Sequence, residues 1–328
     1  MRATGDYATF QGTEYAVAAR GTGSDGRRYV GLVLDDSGGS GFDRVVRQAG
    51  PRRTLGFTTT ARLDRYERVT TTGVFDGEAV TLHGTEGEVP CFHSRSPHWA
   101  EAHGWTGSQH DGGWSGHAPL EAISDLRETV VDLFRPEDHL ALIIDAHRDL
   151  PGAGFAPPAT PEDLAAYRAA FGEDFPAGLA ELYRVIGGGP FFDMTLLGVG
   201  RIIAARRMWD GIVADSTPDD GYDDDIVSLS PGAVSAAYWK PGWVQFTEDG
   251  GGNGFAVDLA PEPAGTPGQV INVGSDDDHR RLYAPSVASL LAALATLIRS
   301  GRATTTGGRW TFTHPGHRDP TLLTALAP

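Results

Sequence analysis

Trp239-Lys-Pro-Gly-Trp243-Val-Gln-Phe-Thr-Glu-Asp249, then Gly250-Gly-Gly-Asn253-Gly254, then Phe255-Ala-Val-Asp258, and after a Pro/Gly linker Gly268-Gln-Val-Ile-Asn-Val-Gly274, is the stretch that decides the fold. Its flanks alternate apolar and polar residues, the two-residue period of a strand. The Gly/Asn/Asp tract between them supplies positive backbone dihedrals at low steric cost. A sheet meander with one elaborate acidic loop is expected. The tract is not a phosphate cradle, because Phe255 to Asp258 continues as a strand where a helix N-terminus would be needed. Asp258, ending its strand, is expected to bond nearby backbone amides rather than serve as a base. Trp239 and Trp243 are expected to pack in the core or at its rim with their indole N–H groups satisfied nearby.

Outward from this stretch, helical periodicity appears on both sides. Thr160 reads as an N-cap with Pro161 at the first helical position and Asp163 three residues on, followed by Leu164, Tyr167, Ala170 and Phe171 at helical spacing. A second helix over about 176–186 carries Leu179, Leu182, Tyr183 and Ile186 on one face and stops at Gly187-Gly188-Gly189-Pro190. Residues 192–209 read as a strand or turn leading into a short helix. A last helix over about 285–298 carries Val287, Leu290, Leu291, Leu294 and Leu297 as one apolar stripe, and Arg309 to Thr313 reads as a strand.

The first 135 residues read as β-rich, with strands over 14–19, 28–34, 54–61, 66–75 and 79–83 and a compact hairpin at Asp76-Gly77. An amphipathic helix is expected from Leu120 to about Phe134, closing a small barrel or meander. Gly21-Thr-Gly-Ser-Asp-Gly26 matches G-x-G-x-x-G literally, but a strand follows it, so it is a hairpin loop and not a dinucleotide fingerprint. The Pro/Gly-rich run 151–161 marks a linker, giving two expected domains, 1–150 and 151–328. The fold class is α+β: a mixed sheet with packed helices in the C-terminal half, preceded by a smaller β-rich module.

The matching order and spacing of three parts make residues 160–298 similar to the SUKH superfamily, the Smi/Knr-type cell-wall regulators and bacterial immunity proteins. These parts are the opening helical pair closed by Ile186-Gly187-Gly188-Gly189, the Trp243 to Asp258 strand–loop–strand, and Gly268-Gln-Val-Ile271 with Ala284-Pro-Ser286 running into Leu290-Leu291. The resemblance implies helices on a central sheet and a domain that works by binding proteins. In bacteria it commonly implies an immunity protein that neutralises a toxin. In fungi it implies a regulatory scaffold for cell-wall synthesis or signalling proteins.

Composition narrows the partners. The chain of 328 residues carries 40% hydrophobic and 21% charged residues and a net charge of −16, which disfavours direct phosphate-backbone binding and favours basic protein partners. Lys240 is the only lysine; arginine in its place with abundant Ala and Gly reads as the mark of a GC-rich, actinobacterial-type genome. No apolar run approaches the roughly 20 residues of a membrane helix, and the N-terminus lacks a signal-peptide layout, so a cytoplasmic protein is expected. The single cysteine, Cys91, excludes an internal disulfide framework and fits a reducing compartment.

The expected partner-binding residues are the acidic loop Asp219, Asp220, Asp223, Asp224 and Asp225, the meander loop Glu248, Asp249 and Asn253, and the run Asp276, Asp277 and Asp278. A basic toxin domain such as a nuclease is the partner that this charge would suit. Charge runs are also the ordinary composition of solvated loops. An EF-hand would need alternating oxygen ligands and a closing Glu, which the 219–225 run lacks. No nucleophile–base–orienter set emerges, and no cofactor is expected. Six of the eleven histidines (His83, His93, His98, His103, His110 and His117) lie around Cys91 in what reads as loop. Their spacing matches no zinc motif, so no metal ligand is assigned, and a metal-dependent hydrolase in the N-terminal half is the remaining alternative.

Overall fold

A computed structural model of the chain describes residues 1–327 except 35–39, 48–52, 87–88, 109, 111, 153 and 216–222. It divides into two compact units, Met1–Asp138 and His139–Pro328.

The first unit is one large antiparallel sheet. Its strands are β1 (Gly5–Phe10), β2 (Thr13–Thr22), β3 (Arg28–Leu34), β4 (Arg44–Arg47), β5 (Thr54–Thr59), β6 (Arg65–Phe75), β7 (Glu78–Glu86), β8 (Val89–Ser94), β9 (Thr106–Ser108), β10 (Gly113–His117) and β11 (Ser124–Asp132). The order is β4-β5-β3-β2-β1-β6-β7-β8-β10-β9, with β11 paired along β6. The two-residue turn Asp76-Gly77 closes the β6–β7 hairpin with φ of 46° and 78°, the left-handed pair that suits the twist of the flanking strands. The G-x-G-x-x-G segment is indeed the β2–β3 hairpin loop, with Thr22 opposite Arg28.

Two expectations fail here. Residues 120–134 are not a helix: a short 3-10 turn at Leu120–Ala122 leads into β11, which pairs with β6 from Ser124 to Asp132. The β-branched run Thr129-Val130-Val131 favours an extended chain, and β6 offers a long partner edge, so strand pairing outweighs the helical spacing. The helix comes later, as α2 (Pro136–His147), with Pro at its start and Glu137 and Asp138 in its first turn. The histidine-bearing stretch around Cys91, read as loop, is not loop throughout: between residues 97 and 117 it forms α1 (Pro97–Ala102), β9 and β10. Trp105 and Trp114 are buried there with Val80, Leu82 and Phe92.

The second unit is mixed α+β, as its periodicities required. Its helices after α2 are α3 (Pro161–Phe171), α4 (Ala177–Tyr183), α5 (Val199–Asp215), α6 (Val287–Arg299) and α7 (Leu322–Leu326). Its strands are β12 (Gly189–Phe191), β13 (Met194–Leu196), β14 (Val227–Ser228), β15 (Trp243–Gln245), β16 (Thr247–Glu248), β17 (Gly254–Asp258), β18 (Gln269–Val273), β19 (His279–Arg280), β20 (Leu282–Ala284), β21 (Ala303–Thr306) and β22 (Arg309–Phe312). The Trp-flanked stretch forms the antiparallel meander β15-β17-β18-β20. Every residue of β17 and β18 is buried, the polar Asp258, Gln269 and Asn272 along with the apolar ones.

Thr160 and Asp163 form a reciprocal capping box at the start of α3: the Asp163 N–H donates to Thr160 Oγ1 at 3.2 Å and the Thr160 N–H to Asp163 Oδ2 at 2.8 Å. The core joins Tyr167, Leu179, Leu182 and Tyr183 of α3 and α4 to Val244, Phe255, Val257 and Val270 of the meander and to Leu290, Leu291 and Leu294 of α6. Leu140 and Ile143 of α2, Ala303 of β21, and Leu322 and Ala325 of α7 belong to the same core. The helix expected to be short beyond 192 is the long one: α5 covers 17 residues, and Gly200 and Gly211 on it do not interrupt it. Its buried Ile202 and Trp209 hold it by packing, which outweighs the weak helix propensity of glycine.

Candidate interaction site

The candidate acidic residues that the structure describes lie in three segments, 248–253, 276–278 and 223–225, each tied by side-chain hydrogen bonds to the main chain. The first loop joins β16 to β17. Asp249 accepts from the Gly251 N–H at 2.7 Å, the Asn253 N–H at 3.1 Å and Asn253 Nδ2 at 2.9 Å, folding the glycine tract around one carboxylate. Gly254 enters β17 so close to β16 that a Cβ would meet the Thr247 carbonyl at 1.9 Å. Asn253 then reaches the second loop, accepting on Oδ1 from the Asp276 N–H at 3.1 Å. Ser275 Oγ donates to the Gly251 carbonyl at 3.2 Å.

Arg280 braces the second loop from below. Its side chain is fully buried, yet among the described residues it reaches no carboxylate and donates instead to four main-chain carbonyls. Nε reaches Ala237 at 3.1 Å; Nη2 reaches Tyr238 at 3.0 Å and Gly274 at 3.2 Å; Nη1 reaches Asp277. The guanidinium lies 6.0 Å from the centre of the Trp243 ring, within cation–π range. Burial lowers its pKa, opposed chiefly by the nearby charge of Asp277. Asn272 completes the brace, donating to Asp277 Oδ2 at 2.7 Å and to the His279 carbonyl at 2.6 Å.

Beneath the loops, Trp209 stacks on Trp239 at 5.5 Å, and Trp239 meets Trp243 edge-on at 5.9 Å. Trp209 donates to Gln245 Oε1 at 2.8 Å and Trp239 to Asp210 Oδ1 at 2.8 Å. Trp243 departs from the expectation of a satisfied indole: among the described residues its buried N–H makes no hydrogen bond of good geometry, although it lies near enough to Asp258 to favour that carboxylate's charge. Asp258 bonds locally as expected, accepting from the Ala260 N–H at 3.1 Å and from Gln269 Nε2 at 3.1 Å. Burial raises its pKa.

The carboxylates named from sequence therefore divide by what they touch. Asp224, Asp225, Asp276 and Asp278 are solvent-facing. Asp223 is exposed but accepts from the Tyr238 N–H at 2.6 Å, so it also ties the third loop down. Asp249, Asn253 and Asp277 are structural ties, and Glu248 is paired with Arg201. Asp219 and Asp220 lie outside the described residues. Sequence reasoning missed Arg280, Asn272 and Gln245, polar residues at strand positions whose burial declared that they must have partners. Among the described residues, no group of three or more His, Cys, Asp or Glu side chains is arranged to hold a metal ion, and no helix is long and apolar enough to cross a membrane.

The arrangement defines a class: a mixed α+β domain presenting stiff acidic loops over an aromatic and arginine underlay. Residues 158–293 are a domain of the SMI1/KNR4 family (SUKH-1). The chain is 36% identical over 121 residues to a Schizosaccharomyces pombe protein named as a cell wall biosynthesis/cell cycle regulator; the match covers 35% of this chain and 24% of that protein. It is 45% identical over 75 residues to a Neurospora crassa glucan synthesis regulatory protein, covering 23% of this chain and 14% of the relative. A Saccharomyces cerevisiae cell wall assembly regulator is 35% identical over 77 residues, covering 24% and 15%. The chain thus spans about a quarter or less of the length of these curated relatives.

Proposed function

We propose that this protein is a non-catalytic docking protein, with the C-terminal unit offering the meander loops as a rigid acidic surface to a protein partner. The leading reading is a regulatory scaffold, since the matched relatives are named as regulators of cell-wall assembly and glucan synthesis. The observation that carries it is the brace: Arg280, Asn253 and Asn272 hold the loops that bear Asp276 and Asp278, so little ordering entropy is left to lose on binding. Capture of partners from the source organism, washed at low and then high salt, tests the reading. Salt-sensitive recovery of a defined partner that is lost with Asp276→Lys and Asp278→Lys supports it. Recovery that ignores both substitutions removes the loops from the reading.

A second reading, neutralisation of a basic toxin, is favoured by the net charge of −16, which would steer a cationic nuclease to this surface. Rescue of cells expressing a toxin encoded beside this gene supports that reading. Failure to bind or rescue leaves the scaffold reading standing alone.

A further inference from the structure

We propose that His83 and His93 form a cross-strand binding site for a late first-row divalent metal ion, Cu²⁺ or Zn²⁺, on the sheet of the N-terminal unit. The two imidazoles come from adjacent antiparallel strands, β7 and β8, with ring centres 5.0 Å apart and planes inclined by 37°. Metal–nitrogen bonds of about 2.0–2.1 Å place two neighbouring imidazole ligands with centres roughly 4.5–5.2 Å apart, between square and tetrahedral angles. The observed separation falls inside that interval.

The approach is built by a local irregularity. Thr81 opposes His93 and Leu82 opposes Phe92, but the next pair is Gly84 with Cys91, so His83 is the inserted residue of a β-bulge. A regular ladder would leave His83 opposite Cys91 and only diagonal to His93; a bulge re-aims the side chain it inserts. On the partner strand, the His93 ring lies against the β10 backbone. A Cβ on Gly113 would meet His93 Nε2 at 2.3 Å. His83 is exposed and His93 half-buried, so the pair is open to an ion from solution.

No third His, Cys, Asp or Glu side chain joins the pair among the described residues, so water would fill the remaining positions and the ion would exchange readily. Soft and borderline ions suit two imidazoles, with Cu²⁺ ahead of Zn²⁺, whereas Mg²⁺ and Ca²⁺ require oxygen ligands. The second close histidine pair, His314 and His317 with ring centres 5.1 Å apart, sits at an exposed turn and serves as the comparison.

Calorimetric titration of the full chain with Cu²⁺, Zn²⁺ and Mg²⁺ in a non-coordinating buffer tests the assignment. His83→Asn and His93→Asn are each expected to weaken Cu²⁺ and Zn²⁺ binding by at least the roughly tenfold that losing even an outer-sphere partner costs a metal site. His314→Asn is expected to leave that step unchanged, and Mg²⁺ to give no heat above dilution. Because His83 is exposed, His83→Asn retains the fold, which far-UV circular dichroism checks. Equal affinity in wild type and His83→Asn, or loss in His314→Asn instead, overturns the proposal.

Discussion

The guanidinium of Arg280 donates to the main-chain carbonyl of Tyr238 at 3.0 Å, joining two residues 42 positions apart beneath the acidic loops. A buried cation that donates to four main-chain carbonyls is costly to remove, because four acceptors lose their donors together. Arg280→Met is expected to destabilise the protein by about 3 kcal/mol. Arg280→Lys is expected to recover only part of this, since an ammonium cannot span carbonyls on both sides as the planar fork does. Urea denaturation of the two variants checks the ranking; equal stability of Arg280→Met and wild type would remove the brace.

Asn253 and Gly274 are coupled through space. Gly274 has φ of +154°, and a Cβ there would meet Asn253 Oδ1 at 2.1 Å. Gly274→Ala is therefore expected to push Asn253 off the Asp276 amide and cost about 2 kcal/mol. Asn253→Ala is expected to uncouple the same loops with a smaller loss. Hydrogen exchange at the Asp276 amide reads the bond directly, and unchanged protection in Asn253→Ala would contradict the bridge.

The aspartates at 223–225 are expected to separate into a tie and two free charges. Asp223→Ala removes the acceptor of the Tyr238 amide, with a loss of about 1 kcal/mol. Asp224→Lys with Asp225→Lys is expected to leave the melting temperature nearly unchanged and to weaken capture of a basic partner at low salt. Thermal melts and the salt-graded capture read the two effects independently. Capture unaltered by the double reversal would take this loop out of the surface.

His147 gives the C-terminal unit an acid-sensitive joint. Its Nδ1 bonds the Ile143 carbonyl at 2.7 Å, while Nε2 accepts from the Phe192 N–H at 2.8 Å and from Trp310 Nε1 at 3.2 Å. That pattern belongs to the neutral ring, and burial lowers its pKa accordingly. The unfolded chain, with a histidine near 6.5, binds the proton more readily. This contribution is therefore full above about pH 6.5 and is lost as pH falls from there towards the depressed folded value. His147→Gln is expected to lower stability at pH 7.5 by about 2 kcal/mol and to flatten this part of the profile between pH 6.5 and 5. Urea midpoints across that range check it; a wild-type slope in His147→Gln would assign the sensitivity elsewhere.

Much of the second unit was legible because its signals were local and redundant. The Thr160 box, the α6 stripe and the alternation about the glycine tract each specified one element, and the order of these elements carried the family resemblance. The failures at 120–134 and 97–117 share a cause: whether a short segment pairs as a strand depends on partner edges distant in sequence, β6 for one and β8 for the other. The acidic loops were readable as composition, but their division into ties and free charges was not. It depends on Arg280, Asn272 and Asn253 meeting carbonyls and amides that no spacing reveals. Likewise, the histidines looked unpatterned, and only the inserted residue at position 83 brings the rings of His83 and His93 within 5.0 Å of each other.

The hydrophobic interior of the C-terminal unit overruns the family-matched stretch in both directions. Leu140 and Ile143 precede it, and Ala303, Leu322 and Ala325 follow it. His147 fastens these outlying segments by holding Trp310 and Phe192 on a single nitrogen. During synthesis this joint stays open until position 310 has emerged from the ribosome, so the unit closes late. A fragment trimmed to 158–293 would expose greasy seams on both flanks, and its behaviour in isolation would report on those seams rather than on the loops.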